Sequence, residues 1–228
     1  MAFNPNNYTV SEPKSIPVIL LLDTSTSMMG EKIDSLNKAV KIMINEFKKA
    51  ETKETFIKVA IITFGEGGVK LHTPLTEASK VQFKPLTTGG WTPMGEALKM
   101  AKDMIEDKSI ISSRDYRPAV VLVSDGEPND EWEEPMERFI KEGRSQKCDR
   151  MAMAIGDDAN QDILNRFIKG CENPLFFARD AADIINSFKK ITMSVTLRSS
   201  SVNKNQPISI EEELDKGTIS LDDIDNYL

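Results

Sequence analysis

Five consecutive apolar residues, Val18-Ile-Leu-Leu-Leu22, run without interruption into Asp23. A strand with no polar residue over such a length has to be covered on both faces, the situation in the middle of a parallel sheet. In open α/β sheets the ligand crevice lies outside the carboxyl ends of the strands. Asp23 and the serines after it, Ser25 and Ser27, therefore fall where binding chemistry is expected. Alternate residues of a loop can turn toward one point while Thr24 and Thr26 turn away, so that one carboxylate and two hydroxyls converge. These are hard oxygen donors, suited to Mg²⁺, Mn²⁺ or Ca²⁺ rather than to a thiolate-seeking metal. A turn in which the Asp and Ser side chains bond local backbone and cap the next helix uses the same residues, and this stretch alone does not separate the two.

The chain beyond it alternates between two periods. Ile33, Leu36, Val40, Met43, Ile44 and Phe47 recur at three and four and predict a helix with one buried stripe. Phe56 to Phe64 reads as a second strand, Gly65-Glu-Gly-Gly68 as a turn and Val69 to Thr76 as a third strand. So short a connection implies an antiparallel hairpin, with Lys70 and His72 on a half-exposed edge strand. After the loop Leu86 to Met94, with Pro93 suited to a helix start, Ala97, Leu98, Ala101 and Ile105 mark the next helix. Strands at Ala119–Val123, Met151–Ile155 and Leu175–Ala178 then alternate with helices around Met136 and Phe139, Leu164 and Phe167, and Phe188 and Ile191. This order predicts an α/β fold: a doubly wound, mostly parallel sheet with one antiparallel edge strand and helices on both faces. Residues 1–13 read as a lead-in, 14–198 as the domain and 199–228 as a polar linker with an acidic tail.

Charge narrows the function classes. The net charge is −7, and from Glu211 onward seven acidic residues face Lys216 alone. Up to that point the charges nearly balance and no long basic run occurs, which argues against nucleic-acid binding by phosphate neutralisation. No apolar run approaches the roughly 20 residues that span a bilayer, and the N-terminus lacks a basic region followed by an apolar one, so no membrane anchoring is expected. Cys148 and Cys171 are too few and too far apart for a disulfide framework and read as reduced packing residues, which fits a cytoplasmic protein.

Two further residues join Asp23 at the same sheet edge. Asp125 follows the strand Ala119–Val123, and Thr92 lies in the Gly-rich loop that enters a helix. Asp23-Thr-Ser25-Thr-Ser27, then Thr92 in Gly-Gly-Trp-Thr-Pro, then Asp125 in Val-Ser-Asp-Gly resembles the von Willebrand factor type A domains, whose metal-ion-dependent adhesion site is written D-x-S-x-S, T, D. The resemblance covers roughly residues 14–198 and implies a Rossmann-like sheet with Mg²⁺ held by Asp23, Ser25, Ser27, Thr92 and Asp125. Among family branches, the loop Gly-Gly-Trp-Thr-Pro-Met-Gly-Glu-Ala-Leu looks most like the bacterial TerY-type proteins of tellurite-resistance and stress operons. If Ser25, Ser27 and Thr92 bind the ion directly, their neutral hydroxyls leave it strongly electrophilic, while Asp23 and Asp125 act through bound waters. A corner of the ion's six-oxygen shell then remains for an Asp or Glu of a partner protein.

An open metal position also serves Lewis-acid catalysis, so a Mg²⁺-assisted phosphoester hydrolase is the alternative. No phosphate-binding G-x-x-x-x-G-K-[ST] and no G-x-S-x-G elbow occurs, and a Ser-His-Asp triad has to recruit His72, the only histidine. No general base is evident beside the metal: only Glu127, Asp130, Glu131, Glu133 and Glu134 are near enough in sequence, and favourable charge at a helix N-terminus is their commoner role. The expectation is a non-enzymatic, metal-dependent protein-binding domain. Trp91, Met94, Met28 and Met29 read either as its apolar rim or as core. In the tail, Ser209 precedes Glu212 at capping-box spacing, and Leu221, Ile224, Tyr227 and Leu228 are either apolar anchors for docking on a partner or part of a disordered solubilising segment.

Overall fold

The computed structural model describes residues 13–225. Its first strand, β1 (Lys14–Thr24), is buried along almost its whole length, and its side chains divide between two cores. Ile16, Val18, Leu20 and Leu22 point to one face and Ile19 and Leu21 to the other. This is the physical reason for the uninterrupted apolar run: the period-2 alternation of a strand is invisible when both faces are dry.

The remaining elements follow the predicted alternation. They are α1 (Glu31–Ala50), β2 (Thr55–Gly65), β3 (Gly68–Glu77), α2 (Met94–Glu106), β4 (Ala119–Ser124), α3 (Glu133–Lys141), β5 (Asp149–Ile155), α4 (Gln161–Ile168), β6 (Leu175–Ala178) and α5 (Ala181–Ser200). The six strands lie in the order β3-β2-β1-β4-β5-β6, all parallel except the antiparallel β2–β3 pair at one edge. Stripes from α1 and α5, including Leu36, Met43, Phe47, Phe188 and Ile191, fill one face. Stripes from α2, α3 and α4, including Leu98, Ile105, Phe139 and Phe167, fill the other. The sheet is therefore a Rossmann-like layer between two helical layers.

The strand order decides where a site can form. From β1 the chain moves outward to β2 and β3, then crosses to the opposite side of β1 to form β4. The connections leaving β1 and β4 thus diverge, and a crevice opens between their carboxyl ends. Asp23 and Asp125 are carried at that point, with Leu22 paired to Val123 just below them.

The C-terminal segment departs from the sequence expectation in its boundary and its cap, while the short helical turns that its spacing suggests do form. Ser199 and Ser200, assigned to a linker, complete the last turn of α5. Two short helices follow, α6 (Ile210–Asp215) and α7 (Leu221–Asp225), and Ile210 and Ile224 are buried with Met193 of α5 in a small third cluster flanked by Leu197, Leu214 and Ile219. Ser209 precedes α6 without a side-chain cap bond; its backbone carbonyl accepts from Glu213 N–H at 3.1 Å. Of the proposed apolar anchors, Ile224 is covered by the chain's own α5 and Leu221 is exposed, while Tyr227 and Leu228 lie outside the described residues. Among the described residues no helix is long and apolar enough to cross a membrane.

α5 is also pinned from beneath. Arg198, 1% exposed, lies 3.3 Å from the equally buried Asp149 at the start of β5 and donates to the Arg117 carbonyl at 2.7 Å. Asn173 donates to the other Asp149 oxygen at 3.2 Å. Burial pushes the Asp149 carboxyl above its ordinary value while Arg198 pulls it back, and burial lowers Arg198 in turn.

Candidate metal centre

Asp23 is the last side chain of β1 to be wholly enclosed. Its Oδ1 accepts the Ser25 backbone N–H at 2.8 Å, an Asx-type bond that turns the chain out of the strand. Its Oδ2 accepts the Ser124 hydroxyl at 2.6 Å, across from the end of β4. Burial raises the Asp23 pKa, opposed by these hydrogen bonds from Ser124 and Ser25. The local-turn reading of Asp23 is therefore correct in part. The carboxylate shapes its own loop and also ties the β1 and β4 ends together.

The two serines then meet. Ser25 Oγ and Ser27 Oγ are 2.9 Å apart, and the Ser27 hydroxyl donates to Asp125 Oδ1 at 2.7 Å. Thr26, between them, faces outward and donates to the Gly90 carbonyl through both its N–H, at 3.2 Å, and its hydroxyl, at 3.1 Å. This brings the third loop in, and a further bond from Gly89 N–H to Thr24 O at 2.9 Å completes the seam. Gly90 has φ of 71°, and a Cβ there would stand 3.0 Å from the Gly65 carbonyl, so both the left-handed backbone and the close approach require glycine.

Thr92 is positioned from the β4–α3 side. Its N–H donates to Asn129 Oδ1 at 3.1 Å, and the Asn129 N–H donates back to Thr92 O at 3.2 Å. Asp130 accepts from Gly95 N–H at 3.0 Å and Glu96 N–H at 2.9 Å, so this carboxylate caps α2, a different helix from the α3 that follows it in sequence. Ser25, Thr26, Ser27 and Thr92 line one open cleft of about 620 Å³ together with Gly90, Trp91, Gly126, Glu127 and Asn129. Thus Ser25, Ser27 and Thr92 share a cleft, with Asp23 and Asp125 bonded beside it.

The apolar residues around the site separate into two roles. Met28 and Met94 are core, whereas Trp91, 78% exposed, forms part of the cleft wall and Met29, 62% exposed, projects beyond Ser27. His72 stays on β3, two strands from β1, half-buried against Phe83 with its Nδ1 3.0 Å from Thr73 Oγ1; burial lowers its pKa. No triad geometry connects it to the site. Glu127 borders the cleft and accepts from Asn160 Nδ2 at 3.0 Å.

Three contributors escaped the sequence reading. Ser124 stood in the Val-Ser-Asp-Gly motif without a role, Asn129 in a polar loop, and Lys32 in the charged first turn of α1, from which its Nζ reaches Asp125 Oδ2 at 2.5 Å. Each acts through a partner on another element, which spacing along one segment does not reveal.

The donor set suits a hard divalent cation. Hydroxyl oxygens on two loops border one cleft, the enclosed Asp23 carboxylate backs them, and Asp125 on a third loop already accepts a cationic group. No group of three or more His, Cys, Asp or Glu arranged for a metal occurs among the described residues, so a site here depends on the Ser and Thr oxygens.

Residues 18–190 match the family model described as von Willebrand factor type A domain. Human inter-alpha-trypsin inhibitor heavy chain H6 is 20% identical over 186 residues, 75% of this chain and 14% of that protein. A von Willebrand factor type A structure from Catenulispora acidiphila is similar with a TM-score of 0.58 and 19% identity, over 80% of this chain and 42% of that one. Proximal thread matrix protein 1 from the mussel byssus, in a structure with a zinc-occupied MIDAS motif, is similar with a TM-score of 0.62 and 14% identity, over 80% of this chain and 48% of that one. The chain spans less than half the length of each of these proteins, and at such identities the structural likeness bears on the fold.

Proposed function

The chain belongs to the von Willebrand factor type A domain family, and from that premise we propose that it is a metal-ion-dependent protein-binding module without enzymatic activity of its own. The observation that carries this reading is the meeting of Ser25, Ser27 and Asp125, the two serines 2.9 Å apart in one loop and Ser27 joined to Asp125 of another at 2.7 Å, beside Thr92 in one open cleft. Ser25, Ser27 and Thr92 would hold the ion, with Asp23 and Asp125 orienting them. When bound, Mg²⁺, or Mn²⁺ or Ca²⁺ in its place, supplies an electrophilic corner for a carboxylate.

The chain's own groups do the remaining work. Asp23 fixes the exit of β1, Asn129 fixes Thr92, and the Gly89-Gly90 turn holds the two ligand loops together. Trp91 offers an apolar surface beside the cleft, the composition expected at the dry centre of a protein contact. The partner we propose is a protein that presents an Asp or Glu side chain. The wider role follows the likeness of the Gly89–Leu98 loop to the TerY-type branch: an assembly or regulatory factor in a bacterial stress-resistance or tellurite-resistance system, acting in the cytoplasm, where two free thiols stay reduced.

Capture from lysate in Mg²⁺ and in EDTA tests this reading. Metal-dependent capture that the Ser25→Ala, Ser27→Ala double variant loses supports it. Phosphate release from nucleotides or phosphoesters above the level of an Asp125→Ala control would replace it with the hydrolase.

A further inference from the structure

Asp125 has two partners of opposite consequence. Its Oδ1 accepts from Ser27, while its Oδ2 accepts from the Lys32 ammonium at 2.5 Å. The Asp125 side chain is fully enclosed and that of Lys32 is 37% exposed, so the ammonium lies between a buried carboxylate and the solvent. The backbone makes room for it. A Cβ at Gly156, at the end of β5, would come within 3.5 Å of the Lys32 nitrogen. The lysine therefore lies between the loops after β1, β4 and β5 and contacts a site carboxylate directly.

We propose that Lys32 is an internal cation that competes with the divalent ion for Asp125 and sets the charge of the loaded site. The inference rests on the metal-site reading above. Apart from the exposed Glu127 at the cleft's edge, Asp23 and Asp125 with Lys32 leave the site one negative charge, and a divalent ion turns this into one positive charge. Without Lys32 the same ion would neutralise the site completely. The lysine thus weakens the hold on the metal and preserves the positive charge that draws an anionic side chain. Charges a few ångströms apart and partly shielded from water interact strongly enough to shift affinity by about five- to tenfold.

The pair also predicts how stability responds to metal. In the metal-free protein the ammonium is the counterion of an enclosed carboxylate, so removing it leaves that carboxylate buried and uncompensated. A bound divalent ion supplies the missing positive charge. The variant's deficit then exists without metal and closes with it.

Titration calorimetry with Mn²⁺ as probe, in a buffer free of carboxylates, tests the proposal on the full chain as wild type, Lys32→Met, Lys32→Gln and Lys32→Arg. The expected result is about five- to tenfold tighter Mn²⁺ binding in the Met and Gln variants and near wild-type affinity in Arg, which keeps the charge. Thermal melts in EDTA should place the Met and Gln variants below wild type, with the gap closing at saturating Mn²⁺. Wild-type binding accompanied by unchanged or weaker binding in Met and Gln overturns the competition and leaves Lys32 a positioning residue or a bystander. Absence of binding in wild type and all variants overturns the metal-site reading itself, and the inference with it.

Discussion

Thr92 and Asn129 hold each other through a reciprocal pair of bonds, Thr92 N–H to Asn129 Oδ1 at 3.1 Å and Asn129 N–H to Thr92 O at 3.2 Å. They belong to different loops, one before α2 and one after β4. The pair fixes the height at which Thr92 enters the cleft, and Asp130 beside it caps α2. Asn129→Ala removes one bond of the pair and keeps the backbone return. We expect a fold that loses about 1 kcal/mol and a Mn²⁺ affinity that falls about tenfold, because a misplaced ligand costs more in coordination than its hydrogen bond costs in folding. Calorimetry beside a urea melt on the same variant compares the two losses. A stability loss with unchanged affinity would show that Asn129 does not position the site.

Arg198 and Asp149 make a second prediction. Breaking an enclosed ion pair by removing one partner typically costs about 3–5 kcal/mol, and Arg198→Met should fall in that range by urea denaturation. Arg198→Met with Asp149→Asn should recover much of the loss, since no uncompensated charge remains. Burial raises Asp149 above its ordinary value of 3.8 and Arg198 opposes the rise, so in Arg198→Met the raised pKa should rise further. A carboxyl raised on folding contributes stability that is present below the unfolded value and lost as pH rises through the folded one. The deficit of Arg198→Met should accordingly shrink as pH falls toward 3.8. An equal deficit across that range would contradict the burial argument.

The two thiols should differ sharply in reactivity. Burial pushes the Cys148 thiol from an ordinary 9.0 up to about 12, whereas Cys171 is half-buried. Under native conditions at mildly alkaline pH, iodoacetamide should modify Cys171 first, with Cys148 reacting after unfolding, as read by peptide mass spectrometry. Keeping Cys148 neutral contributes stability present below 9.0 and lost as pH rises toward about 12. Early labelling of Cys148 would contradict its burial.

Ile210 gives the C-terminal segment a measurable role. It is enclosed with Met193 and Ile224 although the surrounding sequence is strongly acidic. Ile210→Ala should cost about 2–4 kcal/mol in urea denaturation, as for other enclosed isoleucines. A solubilising tail would give no cost at all.

What was legible in the sequence follows from how locally each feature is encoded. The run Val18–Leu22 announced a strand buried on both faces because dryness on both sides abolishes alternation, and β1 divides its side chains between two cores accordingly. That Asp23, Ser25 and Ser27 lie together was legible because their alternation is a local pattern, Asp125 joined them by its strand-end position and Thr92 by its loop at a helix start, while their holding a metal is a proposal. Arg198 was not legible as a buried group: it lies 49 residues from Asp149 and looks like the ordinary basic end of a helix. That Asp130 serves a helix N-terminus was legible, but that the helix is α2 was not, because the free N–H groups of α2 approach it through space from 34 and 35 residues away. The tail read as marginal because, among the described residues, only two of its apolar side chains, Ile210 and Ile224, are enclosed, and the partner they pack on, Met193, is on α5.

Mn²⁺ calorimetry on wild type and on the Ser25→Ala, Ser27→Ala double variant tests the central claim most directly. Both hydroxyls are proposed ligands and neither packs in a core, but Ser27 also donates to the enclosed Asp125, so the variant should stay folded with a loss of about 1–3 kcal/mol. The account predicts a saturable single-site isotherm for wild type and none within the measurable range for the double variant. Equal Mn²⁺ affinity in the two proteins would contradict the assignment of the site.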